Sequence, residues 1–548
     1  MLKTKILPPT EEAYAYPLLI KRILADSLKY EPNNEIVYRD LTRYNYFELN
    51  KRIRKLANVL QNLGIQAGDV VAVLEYDSPR YLELFFAIPM IGAVLHTVNY
   101  RLSPEQVLYT MNHAEDKIVF TNTDFIPLLK GIKDKLTASI PCILMTDKEE
   151  LPEEELVISG EYEELLRSAS DLYEFPDFDE NSVATMFYTT GTTGNPKAVY
   201  FSHRQLVLHT LAGGMLFGSY DSACRFRSDD VYMPITPMFH VHAWGVPYLA
   251  TMLGVKQVYP GRYEPEMLLR LLLSEKVTFS HCVPTILHML VSSPVAKAVD
   301  LSHWKVVIGG AALPAGLAKA ASELNIDVIT GYGMSETCPI LSVTYLNKEG
   351  RKVELNKQVE LRTKTGVPIP LVDMKVVDEN MKTLPQDGES VGEIVVRTPW
   401  LTQSYYKEEE KSKELWKGGY LHTGDVAYVD SKNFFKITDR IKDVIKTGGE
   451  WISSLELENL ISKHPSVSEV AVVGVPDPKW SERPYAIVVP KVDAEATPED
   501  IRQFLQQFVD NGTINKWAIP SRIDFVLAIP KTSVGKIDKK RIRAEYRE

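Results

Sequence analysis

The sequence is most informative at Tyr188-Thr189-Thr190-Gly191-Thr192-Thr193-Gly194-Asn195-Pro196-Lys197. Glycines let backbone N–H groups turn toward an anion, threonines add hydroxyl donors, and a lysine adds a positive charge. The ending Pro196-Lys197-Ala198 differs from the Gly-Lys-Ser/Thr ending of a Walker loop. The pattern therefore predicts a phosphate-binding loop of another kind, for which a plain Ser/Thr/Gly surface turn is the alternative.

The residues around this loop predict parallel α/β layers. Val183 to Tyr188 has the composition of a buried strand, and Ser202 can cap a helix that begins near His203. Val70–Leu74 and Ser78–Ile91 repeat the strand-then-helix pattern, which continues to about residue 330. Alternation of this kind is typical of a parallel sheet covered by helices.

Three further regions complete the predicted fold. Residues 17–64 have the pattern of helices, and from Thr365 short strands between Gly, Pro and Asp turns predict a compact β subdomain. We expect an α/β protein with a large N-terminal domain (1–438) that combines layered α/β subdomains with this β subdomain. A charged hinge (439–443) and a small, mobile α+β C-terminal domain (444–548) follow, and the latter is long enough to fold as a unit.

Length and composition limit the function classes. The chain has 548 residues, which exceeds a single hydrophobic core, with 45% hydrophobic and 24% charged residues. Its 62 basic and 72 acidic side chains give a net charge of −10, which argues against nucleic-acid binding. A local basic site for a small polyanion remains compatible with this balance.

The cysteines and apolar segments predict a soluble, cytoplasmic enzyme. The four cysteines have no CxxC spacing, so they fit neither a disulfide framework nor a zinc site. The first residues lack the apolar run of a secretory signal. The most apolar stretch, Leu82 to Val98, contains Glu83, Pro89 and His96 and is shorter than the ~20 residues of a membrane span.

Five more motifs follow the loop along the chain: Gly309-Gly310-Ala311-Ala312, Gly331-Tyr332-Gly333-Met334-Ser335-Glu336-Thr337, Tyr420-Leu421-His422-Thr423-Gly424-Asp425, Asp439-Arg440-Ile441-Lys442-Asp443, and Pro530-Lys531-Thr532-Ser533-Val534-Gly535-Lys536. In this order and spacing, the six motifs resemble those of the adenylate-forming superfamily. That superfamily includes acyl-CoA synthetases, adenylation domains of peptide synthetases and firefly luciferase. The resemblance covers essentially the whole chain.

The resemblance implies a nucleotide site. By position in the motifs, the residues that bind ATP or AMP are Thr189, Thr190, Gly191, Thr192, Thr193, Gly194, Lys197, Gly310, Ala311, Ala312, Thr330, Gly331, Tyr332, Gly333, Ser335, Asp425, Arg440 and Trp451. The family's Mg2+ position corresponds to Thr189 and Glu336. One carboxylate together with phosphate oxygens suits an ion that keeps several of its waters.

The resemblance also implies a two-step reaction. Lys536 corresponds to the catalytic lysine that bridges a carboxylate and the α-phosphate, two anions whose approach needs a positive charge. The small domain is then expected to rotate about the hinge residue Lys442. On its second face, Lys446, Gly448 and Gly449 would line a tunnel for coenzyme A, since glycines leave room in a narrow passage.

The substrate is expected to bind near Pro237-Met238-Phe239-His240-Val241-His242-Ala243-Trp244-Gly245. This segment resembles the fatty acyl-CoA synthetases, in which His240 would be catalytic on the carboxylate side. His240, Val241 and Trp244 would line the acyl pocket, although plain core packing is an equal alternative for Trp244. Histidines at i and i+2 without a third partner seldom bind a metal.

These inferences predict a fatty acid–CoA ligase that uses ATP, Mg2+ and coenzyme A on a medium- or long-chain acid. A short-chain or hydroxy-acid CoA ligase, then an aryl-acid ligase, and an acyl-AMP ligase that loads a carrier protein are the alternatives. An inactive binding protein and a light-emitting oxidase are more distant rivals. The family branch is compatible with a homodimer.

Overall fold

The computed structural model describes residues 4–148, 156–189, 195–222, 224–447, 450–492, 494, 496–533 and 535–545. The side chains of Glu450 and Trp451 are not among the described parts. In chain order the strands are β1 (Glu35–Tyr38), β2 (Thr42–Asn45), β3 (Val70–Leu74), β4 (Val94–Thr97), β5 (Ile118–Asn122), β6 (Cys142–Met145), β7 (Ile158–Glu161), β8 (Val183–Thr189), β9 (Lys197–Ser202), β10 (Val231–Pro234), β11 (Lys256–Tyr259), β12 (Phe279–Cys282), β13 (Lys305–Ile308), β14 (Asp327–Gly333), β15 (Ile340–Val343), β16 (Val367–Pro368), β17 (Asp373–Val377), β18 (Gly392–Arg397), β19 (Trp416–Lys417), β20 (Tyr420–Val429), β21 (Phe435–Arg440), β22 (Ile445–Thr447), β23 (Glu450–Ile452), β24 (Val467–Asp477), β25 (Ser481–Pro490) and β26 (Arg522–Phe525).

The helices are α1 (Lys21–Tyr30), α2 (Tyr46–Asn62), α3 (Pro79–Met90), α4 (Pro104–Ala114), α5 (Ile126–Ile132), α6 (Tyr162–Ser168), α7 (His203–Ser219), α8 (Val241–Trp244), α9 (Val246–Leu253), α10 (Pro265–Ser274), α11 (Pro284–Val291), α12 (Pro294–Ala298), α13 (Ala315–Glu323), α14 (Leu355–Arg362), α15 (Glu409–Leu415), α16 (Ser454–Ile461), α17 (Pro498–Asp510) and α18 (Lys539–Glu545). Several of them begin at a residue whose side chain caps the helix. Ser202, for example, accepts a hydrogen bond from the backbone of Gln205 and caps α7 as the sequence predicted.

Two large, mostly parallel sheets form the layers of the first part of the chain. One has the strand order β7-β6-β5-β3-β4-β8-β9, and the other has the order β16-β15-β14-β13-β12-β10-β11-β1-β2. Antiparallel strands occur only toward the edges of the described sheets, at β9, β2, β15 and β16. The predicted α/β alternation is confirmed, and parallel order brings the carboxyl ends of the central strands to one edge of each sheet.

Two smaller sheets follow. β17, β18, β20, β19 and β21 form an antiparallel sheet, which confirms the β subdomain predicted from Thr365 onward. In the last part of the chain, β23, β22, β25 and β24 form an antiparallel sheet to which β26 adds in parallel. Helices α16 and α17 pack with this sheet around their own hydrophobic core, as expected for a small α+β domain.

Helix α3 lies at the centre of the first part of the molecule. All its residues are buried, and it packs against α2, β4, β8 and β1, so it contacts strands of both large sheets. A helix that is buried on every side belongs to the core, and its two charged residues, Arg80 and Glu83, are paired with Asp147 and Arg52. The apolar stretch Leu82 to Val98 is therefore core, and the described chain contains no helix with the length and apolar character that crossing a membrane requires.

The prediction of helices throughout residues 17–64 is wrong for one segment. Residues 35–45 form the hairpin β1–β2 between α1 and α2, and β1 pairs in parallel with β11. Ile36, Val37 and Tyr38 are buried in this pairing. A strand of four residues between two helices is too short for its period to stand out from the helical pattern around it.

Candidate active site

The candidate site is a cleft of about 1710 Å3 between the large sheets and the C-terminal domain. The carboxyl-terminal residues of β8 and β14 and the segment that follows β13 line it. The predicted residues that line this one cleft are Thr189, Lys197, His240, Gly310, Ala311, Ala312, Thr330, Gly331, Tyr332, Gly333, Ser335, Glu336, Asp425, Arg440, Lys442 and Lys536.

The phosphate-binding loop predicted from the sequence joins two antiparallel strands. Thr189 at the end of β8 pairs directly with Lys197 at the start of β9. This pairing holds both ends of the loop at the spacing of neighbouring strands. Thr190, Gly191, Thr192, Thr193 and Gly194 lie outside the described residues.

Lys197 and Glu336 are connected by Tyr405. The Tyr405 hydroxyl donates a hydrogen bond of 2.7 Å to Glu336 Oε1, and Lys197 Nζ lies 4.5 Å from the centre of the Tyr405 ring. Glu336 is only 7% exposed, yet it lines the cleft. The tyrosine therefore contacts a carboxylate through its hydroxyl and an ammonium group through its ring.

Asp425 is the centre of a second polar cluster. Its Oδ2 accepts a hydrogen bond of 2.7 Å from the Tyr332 hydroxyl, and its Oδ1 lies 3.0 Å from Arg440 Nε. Asp425 and Arg440 are paired residues of β20 and β21, so the sheet register itself brings them together. The Asp425 carboxylate raises the pKa of Arg440, which keeps the guanidinium charged.

In the segment after β13, the backbone of Gly310 lies close to the side chain of Lys536. A Cβ on Gly310 would lie 3.2 Å from Lys536 Cε, and Gly310 has a φ of +76°, so a side chain there would be both crowded and strained. Thr330 of the neighbouring β14, which pairs with Ile308 of β13, lines the cleft, but its hydroxyl already donates to the carbonyl of Arg362 at 2.8 Å. Thr330 can therefore only accept a further hydrogen bond through that hydroxyl.

Lys536 reaches into this cleft from the C-terminal domain. Desolvation between the two domains is the main reason that its pKa falls to about 8, and the positive charge of Arg440 lowers it further. The ammonium group is thus predominantly charged at neutral pH and loses its proton in mildly alkaline solution. A lysine in this place contributes a positive charge that depends on pH.

His240 lies beside Lys536. Burial and the Lys536 charge lower the pKa of His240 to about 3, so its imidazole is neutral at physiological pH. Both residues line a small apolar cavity together with Val241 and Trp244. A neutral imidazole at the mouth of an apolar cavity can donate one hydrogen bond to a carboxylate without adding a charge.

The residues after His240 form a left-handed turn. Val241, His242, Ala243 and Trp244 have φ values between +47° and +59°, a region that costs L-residues roughly 1–2 kcal/mol each. The His242 ring packs among Phe85, Phe187, Phe201 and Tyr248. Neither of its ring nitrogens has a partner among the described residues, so aromatic packing is what holds His242 in place.

The apolar cavity beyond Trp244 is narrow, about 40 Å3. Phe217, Phe279, Val307 and Val246 contribute to its walls, and a Cβ on Gly309 would meet the Trp244 ring at 3.0 Å. A volume of this size holds a water molecule or two but no acyl chain. The Trp244 ring thus lies directly against the segment after β13 and contributes one wall of this cavity.

The sequence pattern of the AMP-binding enzyme family matches residues 24–406, and that of the AMP-binding enzyme C-terminal domain matches residues 456–536. The chain belongs to the AMP-binding enzymes. The two matches together span both parts of the cleft, which confirms the resemblance found in the sequence.

Relatives of this AMP-binding enzyme include CoA ligases. The long-chain-fatty-acid–CoA ligase of Thermus thermophilus is 40% identical over 93% of this chain and 91% of its own length. The 3-methylmercaptopropionyl-CoA ligase of Ruegeria lacuscaerulensis is 36% identical over 97% and 98%. The crystal structure of ATP-bound MatB from Rhodopseudomonas palustris has a TM-score of 0.81 and 25% identity over 97% and 99%. These matches confirm the predicted class, an ATP-dependent acyl-CoA synthetase.

Of the residues predicted for a coenzyme A tunnel, the structure describes Lys446, which is not among the residues that line the cleft. Lys446 is exposed on β22, where its backbone N–H donates to Glu482. Gly448 and Gly449 lie outside the described residues, as does the side chain of Trp451. The arrangement therefore presents Lys536, and not the β22 side of the C-terminal domain, to the predicted nucleotide residues of this AMP-binding enzyme.

Sequence reasoning missed four polar residues at the site. Tyr405 binds Glu336, whereas Asn99, Arg101 and Thr285 contact the loop that carries Lys536. None of them lies in a Gly-rich or charged motif. Asn99 and Thr285 do follow the parallel strands β4 and β12 closely, which is the one signal that points to them.

Proposed function

We propose that this enzyme is a fatty acid–CoA ligase that acts on medium- or long-chain acids. The proposed reaction joins a carboxylate to the α-phosphate of ATP with release of pyrophosphate. The thiol of coenzyme A then attacks the acyl-adenylate, which gives acyl-CoA and AMP. The observation that carries this proposal is the position of Lys536, beside His240 in the cleft that the predicted nucleotide residues line.

The nucleotide would be held by the two polar clusters. Asp425 already accepts from Tyr332 and pairs with Arg440, so its lone pairs suit ribose hydroxyls between a ring and a guanidinium group. Lys197 and the hydroxyl of Thr189, at the two ends of the hairpin loop, would contact phosphate oxygens. Ala311 and Ala312 leave space beside the Tyr332 ring for a flat base.

A magnesium ion fits the donor set on this wall. Glu336 and Thr189 supply a carboxylate and a hydroxyl beside the expected phosphate oxygens, and Mg2+ prefers oxygen ligands and keeps several waters. The hydrogen bond from Tyr405 fixes the orientation of the carboxylate. Bound there, the ion would neutralise phosphate charge.

Lys536 would stabilise the charge that builds up between the attacking carboxylate and the α-phosphate. His240, neutral and adjacent, would orient the carboxylate by donating a hydrogen bond. Trp244 would close the acyl space behind the carboxylate. The three roles are complementary: Lys536 would supply the charge, His240 would orient the carboxylate, and Trp244 would form the apolar boundary.

The thioester step would follow a rotation of the C-terminal domain about Lys442. Two polar contacts flank this exposed residue: Ser454 donates twice to Asp439, at 2.6 and 2.7 Å, and Arg543 pairs with Asp443 at 2.6 Å. β21 ends at Arg440 in one sheet and β22 begins at Ile445 in another. The hinge proposal places the rotation in the short link between them, after which Lys446 would face the cleft.

A second candidate is a ligase for a short acid. The cavity of about 40 Å3 favours it, since a long chain requires Trp244 or the cavity walls to move. The name of the Ruegeria relative also refers to a short sulfur-containing acid. Each buried methylene contributes about 0.8 kcal/mol, so the two candidates predict opposite trends with chain length.

The test is AMP formation with ATP, Mg2+ and free coenzyme A across linear acids from two to eighteen carbons. A value of kcat/KM that rises to a medium or long chain and requires coenzyme A supports the proposal. A maximum below about six carbons supports the short-acid candidate. Pyrophosphate exchange without coenzyme A turnover would contradict both and indicate an enzyme that loads a carrier protein.

A further inference from the structure

Lys536 is carried by a tight turn, which we call the Lys536 loop (residues 530–533 and 535–537). The backbone N–H of Thr532 donates to the Lys536 carbonyl at 2.7 Å, and the Lys536 N–H donates to Thr532 Oγ1 at 3.2 Å. Lys531 and Ile537 pair across the base of the turn. These internal hydrogen bonds make the turn a single unit. Residues that bind the Lys536 loop therefore also position Lys536.

Three side chains of the large domain hold this loop. Asn99 Nδ2 donates to Ser533 Oγ at 3.1 Å, and Arg101 Nη1 donates to the Ser533 carbonyl at 3.3 Å. On the other side, Thr285 Oγ1 donates to the Gly535 carbonyl at 3.3 Å. All three bonds join residues more than 200 positions apart and cross from the large domain to the C-terminal domain.

The holding residues are themselves fixed. Asn99 Oδ1 accepts from the Arg101 backbone at 3.0 Å, so the two side chains act as a unit. The Arg101 guanidinium lies 5.8 Å from the centre of the Phe239 ring. The Phe239 carbonyl accepts from Thr97 at 2.9 Å. This support also fixes the residue before His240, so both catalytic candidates depend on one rigid wall.

We propose that Asn99, Arg101 and Thr285 form a receptor that positions the Lys536 loop for adenylate formation and is released for the thioester step. They are positioning residues that act through Lys536. The inference rests on the proposed function, in which Lys536 serves only the first step. The inference adds that these three residues help to decide which of the two steps the enzyme is arranged to catalyse.

The first test separates the half-reactions in the full-length enzyme. Arg101→Ala is expected to slow ATP–pyrophosphate exchange about tenfold, because it removes a charge-assisted hydrogen bond at the exposed side of the loop. Asn99→Ala is expected to slow it about threefold, because it removes a partly buried hydrogen bond between neutral groups. Thioester formation from supplied acyl-AMP and coenzyme A is expected to keep its rate, which also shows that the variants are folded. Arg101→Lys should recover part of the exchange rate. Arg270→Ala, an exposed arginine paired with Asp40, is the matched control.

The second test uses the double variant Arg101→Ala/Lys536→Ala. If Arg101 acts through Lys536, adding Arg101→Ala to Lys536→Ala changes pyrophosphate exchange by less than about twofold. A further tenfold loss, or an equal loss of both half-reactions in Arg101→Ala alone, overturns the receptor while leaving the ligase proposal intact. Normal exchange in Lys536→Ala alone would instead overturn the role of Lys536 and the receptor with it.

Discussion

The nucleotide side and the acyl side of the cleft are built on different principles. On the nucleotide side, polar residues bind one another directly, as in Tyr332–Asp425–Arg440 and Lys197–Tyr405–Glu336. On the acyl side, the apolar side chains of Phe217, Phe279, Val246 and Val307, which come from separate elements, contribute walls to a cavity of about 40 Å3. Charge chemistry demands particular residues at particular spacings, whereas an apolar wall demands only volume.

This difference teaches where substitutions should matter. A polar partner that is removed leaves a buried group unsatisfied, so the nucleotide side should respond with large losses of rate. An apolar side chain that is resized changes the shape of the cavity, so the acyl side should respond with altered selectivity. Four experiments test that contrast.

The largest effect is expected from Lys536→Ala, which removes the charge that neutralises the two reacting anions. Pyrophosphate exchange should fall by ~10²–10³, the range found when one electrostatic contact to a transition state is lost. Thioester formation from supplied acyl-AMP should be retained. Lys516→Ala, an exposed lysine of the same domain, is the control. Equal loss of both half-reactions would contradict a step-specific role.

Glu336→Gln should reduce kcat/KM for ATP by roughly 10-fold to 100-fold and raise the Mg2+ concentration needed for half-maximal rate. The amide keeps the shape and the contact with Tyr405 but removes the negative charge that favours a divalent cation. A magnesium titration of pyrophosphate exchange measures both effects. An unchanged titration curve would remove Glu336 from the metal site, and Glu349→Gln serves as the exposed control.

Adenylate formation should lose rate in alkaline solution. The cationic form of Lys536 is the active one, and its pKa of about 8 means that this form is present below pH 8 and is lost as pH rises through that value. The value of kcat/KM for exchange should therefore fall about tenfold per pH unit above pH 8. A pH profile of each half-reaction tests this expectation, because the thioester step should not show the decrease above pH 8.

The smallest change in overall rate is expected from Trp244→Phe. The smaller ring should let longer acids enter, with about fourfold gain in relative kcat/KM per additional methylene buried. The KM for ATP should stay within about twofold of the original value, because the nucleotide contacts are untouched. Rates with acids of eight and sixteen carbons measure the ratio. Trp304→Phe, in a separate core cluster, should leave that ratio unchanged.

The fold was predictable wherever an element was long or strongly apolar. The strand Val70–Leu74 was predicted with its observed bounds, and the helix capped by Ser202 was predicted with its observed start at His203. The hairpin β1–β2 was not, because its short strands owe their conformation to pairing with β11, which is distant in sequence. A local sequence pattern cannot show which distant strand a short segment will pair with.

The site was predictable where the chemistry requires a motif. Gly310, Glu336, Asp425, Arg440 and Lys536 lie in one cleft, as their motifs suggested. Arg101 was missed because its role depends on where the C-terminal domain docks. The depth of the acyl space could not be predicted either, because Phe217 and Phe279 come from unrelated elements and any apolar side chain satisfies the sequence pattern there.

The left-handed turn after His240 has a consequence for redesigning this enzyme. Four consecutive residues hold an unfavourable backbone, and all four are buried, with the His242 ring enclosed by aromatic rings. Randomising the turn to accept new acids would release that backbone and displace His240 with it. Libraries aimed at Phe217, Phe279 and Val307 vary the same cavity from a right-handed helix and two strands, whose backbones tolerate such exchange.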